Sequence, residues 1–171
     1  MSMIKLAITV ALALGSAAAA FGAEYMDKTD FQKSRAFSPG VITEGGRIVW
    51  LAGQTATRDE AGNDISGNFD AQARTIFSLM DKTLKKAGGS IANVVTMTVF
   101  INDPRNGDRL VELRREIFKD GNYPGSALIT VSNFARPGMA IEVQGIAVIG
   151  DNCSSAKPCR GRCRPASRRY R

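Results

Sequence analysis

Histidine is absent from the 171-residue chain, and its three cysteines, Cys153, Cys159 and Cys163, all lie beyond residue 150. That removes Cys/His zinc sites and the Ser-His and Cys-His pairs of nucleophilic catalysis, and no metal site is expected. Carboxylates, guanidiniums and hydroxyls remain. Glu142 stands in "MAIEVQGIAVI", where Ile141 and Val143 alternate with Glu142 and Gln144. A carboxylate on such a strand is either solvated or works on a water. Arg105 and Arg136 flank loops, where a guanidinium is solvated or grips an anion. "NYPGSALITVSN", Asn122 to Asn133, runs from a turn into a strand without a single charge. Its Ser126 has no identifiable base to make it a nucleophile. Phe37 suits core packing as well as it suits the wall of a cleft.

Such residues do nothing unless secondary structure positions them. "GVITEGGRIVWLAGQ" reads as a hairpin, with Val41 to Thr43 and Arg47 to Ala52 as strands around Glu44-Gly45-Gly46. A long helix follows a polar loop. Phe69, Ala73, Ile76, Phe77, Met80, Leu84 and Ala87 form its apolar stripe. Asn68 caps its start, Asp70 suits the positive end of its dipole, and Gly88-Gly89 ends it. "NVVTMTVFIND" reads as a central strand. "PRNGDRLVELRREIFKDG" is a second helix with Leu110, Leu113 and Ile117 inward, and "SALITVSNF" and "MAIEVQGIAVI" are two more strands. The order β-β-α-β-α-β-β places both helices on one face of a single sheet. The other face is half polar and half apolar, which suits a self-association interface with wet pockets.

Hydrophobic content of 44% and charged content of 23% are globular values. The net charge of +7 is uneven. Seven Lys or Arg and one acid follow Gly150, Lys5 stands alone in the first 23 residues, and residues 24–150 carry 15 basic and 15 acidic side chains. The core is therefore neutral, and no nucleic acid is expected to bind through it. Residues 151–171 are too rich in Arg, Ser, Pro and Cys to fold alone. This basic, disordered tail is the one part suited to anionic lipid or nucleic acid. Residues 1–23 have the plan of a secretory signal peptide: a lysine, an apolar run, then small residues. The expected location is periplasmic or secreted, with no membrane attachment after cleavage, and residues 24–150 form one domain.

Phe37-Ser38-Pro39-Gly40-Val41, Gly53-Gln54, "TVFIND" from Thr98, Tyr123-Pro124 and "IEVQGIAV" from Ile141 occur in an order that resembles the Rid family, the RidA/YjgF-like reactive intermediate deaminases. The similarity runs from about residue 36 to 149, and "KKAGGSIANVVTMTVFINDP" is its most specific part. The resemblance implies a chorismate-mutase-like α+β fold and a homotrimer with clefts between subunits. It also implies a small-molecule ligand, no cofactor, and hydrolysis of an enamine or imine to a carbonyl compound and ammonia. It places a catalytic, water-positioning glutamate at Glu142. Among substrate-binding positions it sets a cleft aromatic at Phe37, a cleft glycine at Gly53, a loop asparagine near Arg105 and a carboxylate-gripping arginine at Ser126. A neutral hydroxyl does not copy a bidentate guanidinium. Loss of such a partner costs about 2–5 kcal/mol, so ordinary 2-iminopropanoate deaminase activity is not expected. A non-catalytic Rid-like binder of small metabolites is the alternative.

Overall fold

A computed structural model describes residues 23–150; the signal-peptide and tail expectations fall outside them. The order is β1 (Glu24–Tyr25), α1 (Asp30–Ser34), β2 (Val41–Ile42), β3 (Arg47–Gln54), α2 (Phe69–Lys86), β4 (Val94–Ile101), α3 (Gly107–Ile117), β5 (Gly125–Thr130) and β6 (Ile141–Ile149). Single 3-10 turns sit at Ile91–Asn93, Pro104–Asn106 and Lys119–Gly121.

The main sheet has four strands in the order β3-β6-β4-β5. β3 and β4 run antiparallel to β6, whereas β4 and β5 are parallel. A parallel pair needs a crossover, and α3 supplies it. The long helix starts as its sequence requires: Ala71 N–H donates to Asn68 Oδ1 at 3.1 Å. It ends at Gly88, whose φ of +84° costs a glycine little. Its stripe, with Ile76, Met80 and Leu84 fully buried, packs with α3 against one face of the sheet. On β6, Ile141, Val143, Gly145, Ala147 and Ile149 turn inward, and the residues between them turn outward.

Two expectations are corrected. The stretch around Glu44-Gly45-Gly46 does turn, with both glycines at positive φ, but it does not close a hairpin. β2 pairs instead with β1, Glu24 opposite Ile42 and Tyr25 opposite Val41. The sheet is consequently not single: a two-stranded ribbon stands beside the four-stranded one. The reason is non-local, because β1 offers Val41–Ile42 a free edge. A phenol hydrogen bond, Tyr25 Oη–H to the Ala92 carbonyl at 3.5 Å, ties that ribbon to the 3-10 turn that leads into β4.

Buried polar groups are mostly paired. Gln72 is fully buried between the helix layer and two loops. Its amide donates to the Ile65 and Gly138 carbonyls at 2.9 and 2.7 Å, and its oxygen accepts from Ala140 N–H at 2.8 Å. Outside, α2 and α3 are joined by an ion pair between Arg109 and Asp70, which holds the Asp70 carboxyl below its ordinary range. No helix among the described residues is long and apolar enough to cross a membrane.

Candidate functional site

The face of the sheet turned away from α2 and α3 carries the candidate site. Trp50 is 74% exposed and Ile48 57%, and Ile129 is exposed on the opposite edge strand. Trp50 stands opposite Ile146 on β6, and Ile146 opposite Thr96 on β4, so the indole shares its face with those side chains. Together with Thr98 and Gln144 they line a shallow cavity of about 230 Å³. Alternation along "RIVWLAGQ" was the signal that could have placed Trp50 outside the core.

A second cavity, about 380 Å³, lies at the β5 edge of the sheet. Phe37 to Val41 form one wall, Val95 to Thr98 of β4 the floor, and Gly125 to Ala127 of β5 the other wall. None of these residues is charged. The first wall is held by a sequence of local devices. α1 ends in two overlapping bonds, Ala36 N–H to the Lys33 carbonyl (3.3 Å) and Phe37 N–H to the Gln32 carbonyl (3.2 Å). Ala36, at φ +52°, occupies the left-handed position that glycine usually fills in such a terminus. Phe31 meets Phe37 edge to face at 6.3 Å, completing the apolar contact that accompanies this turn. Ser38 then docks beside Gly125. Its N–H donates to the Pro124 carbonyl at 3.2 Å and its hydroxyl to the Tyr123 carbonyl at 2.5 Å.

Phe37 and Ser126 therefore meet at one cavity, but Ser126 contributes backbone. It stands opposite Met97, which faces the helices, and its hydroxyl is buried without a protein partner. A Cβ built on Gly125, by contrast, would lie 3.7 Å from Thr96 Oγ1 on the open face. Gly125 and Ala127 thus present the strand to the cavity.

Gly53 and Glu142 form a separate pair at the β3 side. β3 slips register between Leu51 and Gln54, a bulge that brings its backbone over β6. A Cβ built on Gly53 would overlap the Glu142 carboxylate, so any larger residue there would displace that side chain from its present position. Glu142 is half-buried, outward-facing and opposite Phe100. Ser126 is opposite Met97, three residues back along β4 and about 10 Å away in that direction. Within one subunit the two pairs do not share a cavity. Arg105 joins neither: its guanidinium folds onto Asp103, Nε 3.0 Å from both oxygens and Nη2 2.6 Å from Oδ2. The arginine side chain is 89% exposed, and its hydrogen bonds hold the Asp103 carboxyl below its usual range.

The described residues thus form an α+β domain with one sheet face covered by helices and the other, cavity-bearing face left open. Residues 28–149 match the family model described as Endoribonuclease L-PSP. The chain belongs to that family, which is also the Rid/YjgF family of its solved relatives, and has its RidA-like α+β fold. It is 28% identical over 114 residues to the human 2-iminobutanoate/2-iminopropanoate deaminase, covering 67% of this chain and 80% of the relative. The rat protein of the same name is 29% identical over 115 residues, covering 67% and 81%. A Rid-family protein of unknown function from Yersinia pestis superimposes with a TM-score of 0.66 at 20% identity, over 74% of this chain and 98% of that one.

Proposed function

We propose that this protein is a homotrimeric, exported Rid-family deaminase whose clefts take a small uncharged imine or enamine. The uncharged lining of the Phe37–Ala127 cavity carries that reading. A carboxylate ligand needs a charge-assisted partner in a site shielded from water, and the cavity offers hydroxyls and backbone groups. The same neutrality favours a small ligand over RNA, whose phosphates call for lysine and arginine.

Assembly supplies what one subunit lacks. The Phe37–Ser126 pair sits at the β5 edge and the Gly53–Glu142 pair toward the β3 edge of the same face. Opposite edges meeting head to tail generate a ring, and three copies close it. Each cleft then has Phe37 of one copy facing Glu142 of the next. Burial of Trp50 and Ile48 drives that contact. In the cleft the Glu142 carboxylate accepts a proton from a water as its oxygen bonds to the C=N carbon. Glu142 passes that proton to the nitrogen; the carbinolamine hydroxyl then gives up its own proton, again through Glu142 to the nitrogen, as the C–N bond breaks, the C=O forms and ammonia leaves. One water is consumed, and one carbonyl compound and one ammonia are formed.

The mature protein is assayed for ammonia release from 2-iminopropanoate and from an uncharged imine of the same size, both generated in situ. The uncharged imine is expected to turn over at least ~10-fold faster. Turnover of 2-iminopropanoate at an equal or higher rate overturns the neutral-ligand reading. Glu142→Gln is expected to lower turnover by about 10²–10⁴-fold. Unchanged turnover in that variant removes Glu142 from the chemistry. A second reading, a non-catalytic binder, is favoured by the separation of Glu142 from the cavity within one subunit. It predicts saturable binding of the imine with no ammonia released by either protein.

A further inference from the structure

In the layer between α3 and β5, two buried polar groups lack partners among the described residues. Arg114 is only 4% exposed, and its Nε–H has no acceptor; the Ser126 hydroxyl is equally buried and unpaired. Both belong to the same compartment. α3 runs back over β5, and a Cβ built on Gly107 would lie 3.6 Å from Leu128 Cδ2. From Gly107 to Arg114 the helix rises about 10 Å, a distance spanned by roughly three residues of strand. Arg114 therefore stands at the level of Gly125 and Ser126, and Ser126 shares its face of β5 with Leu128. Helical side chains lean toward the N-terminus of their helix, which carries the guanidinium across Ser126.

The charges do not balance there. Arg114 Nη2 donates to the Arg35 carbonyl at 3.0 Å, a neutral acceptor, and among the described residues Arg114 has no ion pair. The nearest carboxylate in this network, Asp108, is taken by Arg35 Nη1 at 2.6 Å. Burial, and then the like charge of Arg35, pull the Arg114 pKa down to about 10, so it remains charged at neutral pH. Buried charges in proteins are paired or coordinated, because an isolated one is strongly disfavoured. A water could accept both hydrogen bonds, but it would leave the charge standing.

We infer that Arg114 Nε–H and Ser126 Oγ–H close on one small monovalent anion, a halide or a carboxylate, held between α3 and β5. The site lies on the helix side of β5, separate from the uncharged cavity on the open face. It needs neither the trimer nor Glu142. It locks the C-terminal end of α3 to the strand that walls the cleft.

The full mature chain is melted at constant ionic strength while bromide, or in a second series acetate, replaces gluconate, which is too large for a buried site. A saturable rise in Tm of about 3–6 °C is expected with one of the two anions. A response to bromide assigns the site to a halide, and a response to acetate alone assigns it to a carboxylate. Arg114→Met, which puts an apolar chain of similar reach in the layer, is expected to melt at or above the parent in gluconate and to ignore both anions. Ser126→Ala is expected to shift the half-saturating concentration upward by about 10-fold. No saturable rise with either anion overturns the inference, as does a rise that persists in Arg114→Met.

Discussion

The two faces of the four-stranded sheet are built from the same strands with the same two-residue period, yet they end in different states. The inner face carries Met97, Val99, Ile101, Ile141 and Val143, covered by α2 and α3. The outer face carries Trp50, Ile48 and Ile146 beside Thr96, Thr98, Glu142 and Gln144, with no helix over it. Alternation decides that a strand has two faces. What covers each face decides whether its side chains act as core, interface or site. The inner face is finished within one chain, and its polar intruder, Gln72, has every bond made. The outer face mixes apolar area with hydroxyls and a carboxylate, a composition that suits the proposed assembly with clefts.

The contrast can be broken on its inner side first. Gln72→Ala leaves the Ile65 and Gly138 carbonyls and the Ala140 N–H without their partner inside the protein. A loss of about 3–5 kcal/mol is expected, read as a fall in the urea midpoint. Stability within 1 kcal/mol of the parent would mean that water reaches those groups. On the outer side, Trp50→Lys should act on assembly and leave the fold. Far-ultraviolet circular dichroism is expected to be unchanged while sedimentation moves from the proposed trimer to monomer, since a buried tryptophan anchor is worth about 2 kcal/mol or more at an interface. A trimer that survives this change would place the interface elsewhere.

The smallest effect lies outside both faces, on the helix surface. Arg109 holds the Asp70 carboxyl below its ordinary value near 3.8, chiefly through its hydrogen bonds. The unfolded chain therefore binds the proton more readily than the folded one. The pair's contribution is present above the unfolded value and is lost as pH falls through the folded one. Asp70→Asn should lower Tm by no more than ~2 °C at pH 7, because the pair is solvent-screened, and should flatten the Tm-versus-pH slope below about pH 4. An unchanged acid slope would assign the acid sensitivity to other carboxylates.

Particular elements show what could be read locally. α2 was legible because stripe, cap and terminating glycines agree within 22 residues of chain, and those interactions are the ones the folded helix makes. The alternation of "IEVQGIAVI" likewise assigned Glu142 and Gln144 to one face and Ile141 and Val143 to the other. The Val41–Thr43 hairpin failed because strand pairing is a choice between edges, and β1 competed from 16 residues away in the register of Tyr25 with Val41. Gln72 stands outside the apolar stripe read from the sequence, and it is buried because two loops close over it. Phe37 and Ser126, 89 residues apart in the chain, were brought to one cavity by the docking of Ser38 on the start of β5.

The sequence by itself determined the periodicities, the helix ends, the neutral core charge and the family, since each depends on residue types at short or fixed spacing. Tertiary structure alone decided which way Ser126 faces, that Arg114 is buried, that Arg105 turns to Asp103, and that Glu142 lies against Gly53. In a strand a register change of one residue moves every side chain to the opposite face. A site residue's role is therefore fixed by the partner strand and the bulge beside it, neither of which is written in its immediate neighbours.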